Sequence, residues 1–281
     1  MTALFDQIAF DTATFDGSAS LGLNSSDTVV FNGYGLQNSE IVSKELDESS
    51  GAKRNIRRKQ NPREDGQQIE TDFFPQRNIL IDGAIFKSTS ALLEAEIDRM
   101  KKYLSLQNGL LEITKDGVKR VYTASVSNFD SLFSRRTGGD VTRAPFMINF
   151  LCTEPFGKSE SRIVDSYFGA AVSPYNFEIY NDGNFKTKPI FFVAFDAVTT
   201  GTVLNLKNNT TSKEIEITQA FTAGDLLEVN CETKEVLLNG VLIDFDGYFF
   251  DLLPDANSLT LTITAANFSV TLTNKYYLTY L

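Results

Sequence analysis

Over residues 88–106 the apolar positions recur at helical spacing, and almost everywhere else they alternate at strand spacing. Leu93, Ile97, Met100 and Leu104 fall at i, i+4, i+7 and i+11, one stripe of an amphipathic helix. Ser88, Thr89 and Ser90 supply N-cap candidates. Glu94, Glu96 and Asp98 lie toward the start and Arg99, Lys101 and Lys102 toward the end, as the helix dipole prefers. Asn108-Gly109 is the expected stop. No second segment has comparable helical quality, so the lone helix must lie across a sheet face to bury its stripe. Leu93, Ile97, Met100 and Leu104 are its expected anchors.

Strand patterns surround it. Ile69–Phe74 and Arg77–Ile81 alternate on either side of Pro75, which cannot donate to a ladder. Leu110–Thr114 and Lys119–Ser127 read as a hairpin around Lys115-Asp116-Gly117, continued by Phe129–Phe133. Arg135–Asp140 reads as a loop, and Phe146–Cys152 as a buried strand closed by Glu154-Pro155-Phe156. Upstream, Thr28–Leu36 and Glu40–Leu46 are further strands. Residues 1–26, with Phe5, Phe10 and Phe15 at a spacing that fits neither period, read as an arm. From Tyr175 onward, strand patterns recur every 8–12 residues between turns such as Asn181-Asp182-Gly183, Ala223-Gly224-Asp225 and Asn239-Gly240, the mark of a β-sandwich. Gly157–Pro174, rich in Gly, Ser and Ala, reads as a linker. The chain is thus expected to be mainly β: an α+β domain with one helix over 1–156, a linker at 157–174, and an all-β sandwich over 175–281.

Composition removes whole classes of chemistry. The 281 residues include 23 Phe and 10 Tyr, ample for packed cores, but no His and no Trp. Without His, the usual general base, the commonest zinc ligand and every Ser-His or Cys-His pair are absent. Cys152 and Cys231 have no metal or redox spacing and read as buried thiols. The opening Met-Thr-Ala-Leu-Phe-Asp does not read as a secretory signal, and no run approaches a membrane span. The net charge is −10, unevenly spread: residues 1–156 carry 18 basic and 21 acidic side chains, residues 157–281 carry 8 and 15. That balance argues against general nucleic-acid binding. One basic run interrupts it. Lys53, Arg54, Arg57, Arg58, Lys59 and Arg63 lie in a charged excursion, residues 48–66, that holds a single large apolar residue, Ile56. It reads either as a solvated loop or as an interaction element.

Candidate chemistry elsewhere is thin. Asp244-Phe245-Asp246-Gly247 with Asp251 lacks the alternating oxygens and closing Glu of a calcium loop and reads as an acidic turn. Gly138-Gly139-Asp140 lacks the Gly-Lys-Ser/Thr ending of a phosphate loop. Nothing places two carboxylates on one cleft, and no cofactor is expected.

Two constellations carry a resemblance. The first is Phe146-x-Ile148-x-Phe150 followed by Glu154-Pro155-Phe156, after a strand-helix-strand unit containing Arg77. The second is Asn181-Asp182-Gly183 with Pro189, then Gly224-Asp225-x-Leu227-x-Val229-Asn230, Val236-x-Leu238-Asn239-Gly240 and Leu252-Leu253-Pro254-x-x-Asn257-x-Leu259. In this order the chain resembles the distal tail proteins of long-tailed, non-contractile bacteriophages, over about residues 68–281. Glu154 departs from the Asp usual there, and no Gly precedes Asn257. The resemblance implies a tail-tube-like domain that forms a six-fold ring, and a galectin-like sandwich projecting outward. It implies a structural virion protein, a homohexamer joining the tail tube to tip or baseplate proteins, with DNA only as cargo through the lumen. A tail-tube protein with a decoration domain and a glycan-binding adhesion module are the alternatives, the latter disfavoured by the missing Trp.

Overall fold

In the computed structural model, residues 27–46, 54–60, 67–131, 142–170, 173–198, 201–265 and 267–281 are described. The arm at 1–26, the ends of the basic run (Lys53 and Arg63) and the Arg135–Asp140 loop lie outside them. The described chain is built almost entirely from antiparallel strands, with one helix among the described residues.

The first half runs β1 (Thr28–Phe31), β2 (Tyr34–Gly35), β3 (Ile41–Leu46), β4 (Asn55–Gln60), β5 (Gln67–Phe73), β6 (Arg77–Phe86), α1 (Ser90–Leu104), β7 (Gly109–Lys115), β8 (Val118–Ser131), β9 (Arg143–Cys152) and β10 (Gly157–Lys158). The strands other than β4 and β5 form one sheet with the path β2-β1-β7-β8-β9-β6-β3. The strand read over Thr28–Leu36 is two strands, because Asn32 and Gly33 take positive φ and turn the chain between them. Asp116 and Gly117 do the same between β7 and β8, a two-residue turn whose twist suits a hairpin.

The helix is shorter than its pattern. Thr89 caps it, accepting from the Leu92 N–H, and Ser105 closes it through the Lys101 carbonyl. Asn108, read as the stop, instead takes φ 51° in the turn into β7. Leu93, Ile97, Met100 and Leu104 are all buried, in one core with Phe31, Ile79, Ile81, Leu111, Ile113, Phe146, Ile148 and Phe150 of the sheet.

The second half runs β11 (Ile163–Ala170), β12 (Tyr175–Asn181), β13 (Ile190–Val198), β14 (Gly201–Asn208), β15 (Lys213–Phe221), β16 (Leu226–Asn230), β17 (Glu235–Leu238), β18 (Val241–Leu242), β19 (Asp246–Gly247), β20 (Asp255–Thr264), β21 (Phe268–Tyr276) and β22 (Thr279–Tyr280). A six-stranded sheet, β11-β21-β13-β16-β17-β18, faces a five-stranded one, β12-β20-β14-β15-β19. Alternate residues of both fill a second core, among them Phe191, Val193, Leu204, Ile217, Leu227, Leu261 and Leu272.

Two elements differ from the sequence reading. The stretch read as a linker, 157–174, holds β10 and β11: β11 pairs with β21 inside the second sandwich, and β10 pairs with β8 and β22. Its Ala, Gly and Ser content hid strands that pair with β21 and β22 at the far end of the chain, β10 with β8 as well. The excursion at 48–66 is likewise no featureless loop. Its residues 55–60 are β4, which pairs with β5 as a two-stranded sheet of its own.

Candidate interaction surfaces

The basic residues sit on a hairpin that stands apart from the main sheet. Arg54, Arg57, Arg58 and Lys59 are all exposed along β4 and its approach, with Ile56 exposed among them. Residues 54–59 are exposed on both sides of the strand, so an apolar alternation has no use along β4. The pairing shifts register between Arg57 and Arg58, opposite Thr71 and Ile69, which adds local twist. At the root, Arg54 lies 5.7 Å from the centre of the Phe74 ring.

Phe74 continues into the junction between the two cores. Its ring meets Phe156 and Phe185 edge-on, each at 5.6 Å. Beside this cluster opens a cleft of about 480 Å³, lined by Phe156, Phe185, Lys188, Glu232, Tyr277 and others. Most of its charges are already paired: Lys158 with Glu154 at 2.8 Å, Lys186 with Asp251 at 2.7 Å, and Glu232 with Arg162 at 2.8 Å. Segment 278–281 spans the junction. β22 adds to β10, Arg120 lies 5.0 Å over the Tyr280 ring, and the Leu281 N–H reaches Asn184.

The motif residues of the second half have local work. Asn181 is buried; its Oδ1 accepts from the Gly183 N–H and its Nδ2 donates to the carbonyls of Phe185 and Leu252. Asn230 Oδ1 accepts from Glu232 and Thr233. Asn239 accepts from the Leu226 N–H and donates to Asp225, whose carboxyl is held below its ordinary range by that bond and by Thr222. Asn257 ties Leu253 to Asp255. A fifth, Asn208, does the same for Thr210 and Thr211 and reaches the Asp251 carbonyl. It escaped notice in the sequence because its Asn-Asn-Thr-Thr setting reads as an ordinary polar turn. These amides satisfy backbone groups that turns would leave unpaired inside the sandwich. They hold the fold together and do not converge on a cleft.

Nor do the remaining reactive groups converge. Asp246-Gly247 is β19, paired to β15, so the acidic turn closes a sandwich edge. Among the described residues no cluster of His, Cys, Asp and Glu could hold a metal ion. Cys152 and Cys231 are buried, and burial pushes both thiols up to about 12. Also among the described residues, no helix is long and apolar enough to cross a membrane.

With the turns and strands of the second half in view, one comparison bears on it directly. Residues 182–276 match the family described as siphovirus-type tail component, C-terminal domain. That match lies within the second half and does not reach the helix-bearing first half. The matched segment holds every Asn-centred turn of the sandwich except Asn181 itself. Over most of the chain, the fold follows that of the SPP1 Dit (gp 19.1) protein, whose crystal structure is described as a paradigm of the hub adsorption apparatus in phages infecting Gram-positive bacteria. Identity is 19%, the TM-score 0.67, and the match covers 91% of this chain and 99% of that one. Chains of the phage P2 baseplate in its activated conformation also align, with Ca at 7% identity and a TM-score of 0.40, and with Sr at 11% and 0.42. Each covers 87% of this chain and 97% of that one. No curated protein sequence matches this chain.

Proposed function

We propose that this chain is the distal hub of a siphophage tail, a non-enzymatic ring protein that joins the tail tube to the tip or baseplate proteins. The observation that carries this is the tail-component match over 182–276 on a chain whose fold follows the SPP1 Dit protein along 91% of its length. In this reading the helix-bearing sheet of residues 1–156 builds a homohexameric ring and the sandwich projects outward, galectin-like in layout. The cationic hairpin docks on an acidic surface of the neighbouring subunit. Ring building calls for broad subunit surfaces and no catalytic cleft, which fits the scattered reactive groups. DNA passes through as cargo. The native mass of the purified protein tests the ring. Six copies, with residues 175–281 alone remaining monomeric, is the expected result; a monomeric full chain at micromolar concentration overturns it.

A further inference from the structure

The second half carries an open sheet edge with exposed carboxylates beside it. β17 and β18 are joined by Asn239-Gly240, both at positive φ, so that Leu238 and Val241 flank a two-residue turn and face each other. In such a turn the flanking pair exchanges its own backbone bonds. The next pair, Leu237 and Leu242, then turns the Leu242 N–H and C=O away from β17, off the end of the six-stranded sheet. Val241 and Leu242 are each 65% exposed, and Leu226, bonded across the turn to Asn239, is exposed beside them. Natural edges are usually blunted by a lysine, a proline, a bulge or a very short strand. At β18 only the last applies: two residues leave one outward backbone N–H and C=O, those of Leu242, as the anchor point.

The tip is also held in place. Asn239 is bonded on one side to Leu226 and on the other to Asp225. Beyond β18, the chain is fixed again where the Tyr248 N–H meets the Glu214 carbonyl. Gly247 there takes φ 101°, and a Cβ on it would lie 2.2 Å from that same carbonyl oxygen. A preformed edge loses little freedom on receiving a strand.

Charge selects the partner. Residues 214–274 carry ten carboxylates and one basic side chain, Lys234. Glu235, Asp244 and Asp246, on or next to the edge, are exposed. We propose that β18 is a strand-addition site for an extended, Lys- or Arg-bearing segment of another protein. The added segment pairs with the Leu242 backbone, lays an aliphatic side chain on Val241, which faces the opposite side of the strand from Leu242, and directs its cations at Asp244 and Asp246. Main-chain bonds supply the affinity and the alternating side chains the specificity.

The test uses the full chain and a labelled peptide of alternating Val and Lys. Binding is expected to fall at least tenfold between low and high salt and at least tenfold in Leu242→Lys. The Leu242 amide should become protected from hydrogen exchange when peptide binds. Leu242→Thr, which keeps strand character, should retain more than half of that protection. Equal binding of a Gly-Lys peptide, or binding without protection at Leu242, overturns the proposal in favour of bare charge attraction. A change of native mass in Leu242→Lys without peptide also overturns it, by assigning the edge to a second copy. No binding at all overturns it outright. None of these outcomes bears on whether the chain forms a ring.

Discussion

Phe156 lies flat against Phe185, ring centroids 4.4 Å apart and planes 18° from parallel. One ring leads into β10 of the first sheet and the other follows β12 of the sandwich, so the pair fastens one core to the other. Phe74 meets both edge-on and extends the contact to the root of the cationic hairpin. Aromatic pairs are worth about 0.5–1.5 kcal/mol each beyond area, so Phe156→Ala, which removes two of them, should cost ~1–3 kcal/mol. Calorimetry is expected to show one transition in the parent and two in the variant. A single, unshifted transition would place the coupling elsewhere.

Gly183 tests the same junction from the backbone side. A Cβ there would meet the Thr279 carbonyl oxygen at 2.6 Å and its nitrogen at 2.8 Å. Backbone cannot move aside as a flexible side chain can. Gly183→Ala is therefore expected to lose ~1–3 kcal/mol, the usual cost of overpacking. Amide exchange should quicken at Phe185, whose N–H bonds the Thr279 carbonyl at 3.1 Å. Unchanged protection there would show that the segment yields freely.

Glu96, on the helix, accepts from the Tyr34 hydroxyl and pairs with Lys87 at 3.1 Å, while Lys87 also bonds Glu40. Burial alone would raise the Glu96 carboxyl, but the bonds from Tyr34 and Lys87 outweigh it and hold the group below 4.5. A depressed carboxylate stabilises the fold above its unfolded value and loses that contribution as pH falls through the folded one. Lys87 is raised, chiefly by its bond to Glu40, and Tyr34 is raised, chiefly by burial. Both contribute fully below about pH 10 and lose it as pH climbs past that point. Glu96→Gln should cost ~1–3 kcal/mol at pH 7, by replacing the charged acceptor of Tyr34 and Lys87 with a neutral one while Lys87 keeps Glu40, and shrink the loss of stability seen as pH falls through the carboxylate range. Denaturant titrations at pH 3.5 and 7 check it; equal losses at both would mean the cluster is not charge-dependent.

The helix stripe carries a fourth expectation. Leu93 and Met100 are fully buried and Ile97 nearly so. Leu93→Ala should cost ~2–5 kcal/mol in denaturant unfolding, as truncation in a packed core does. A loss under about 0.5 kcal/mol, the range of surface sites, would contradict burial of the stripe in the isolated subunit.

What was legible in the sequence follows from how each element meets its neighbours. The helix stripe and the β7–β8 hairpin repeat at a period one face can use, and Asp116-Gly117 names its turn outright. β11 was hidden because Gly, Ser and Ala dominate the stretch that contains it. β18 and β19 are two residues long, too short for any alternation. β4 was hidden for a different reason: with residues 54–59 exposed on both sides of the strand, Arg57, Arg58 and Lys59 carry no apolar partner to mark it. The Asn-centred turns were readable as motifs, yet the burial of Asn181, Asn208, Asn230 and Asn257 was not, because an amide that satisfies buried backbone looks in sequence like one that faces water, as Asn239 does.

The hairpin gives the remaining prediction. A two-stranded ribbon is marginally stable in water on its own, and β4–β5 pairs with no other sheet in the described chain. Four of its cations, Arg54, Arg57, Arg58 and Lys59, are exposed, and the contact of Arg54 with the Phe74 ring lies at the root of the charged strand. The first 52 residues hold eight acidic side chains and one basic one, an acidic stretch that every other copy of the chain also carries. Attraction between the two would be screened over about 8–10 Å at physiological salt, short enough to demand direct contact. DNA is the competing target, and its binding would weaken steeply with salt. Six subunits at −10 each would, however, repel a duplex passing through the ring. Replacing all four cations by Gln separates the cases. Loss of ring or tail assembly with DNA retention unchanged is the expected outcome. Normal assembly with DNA retention lost would reassign the hairpin to the genome, and no change in either would leave it a solvated ribbon.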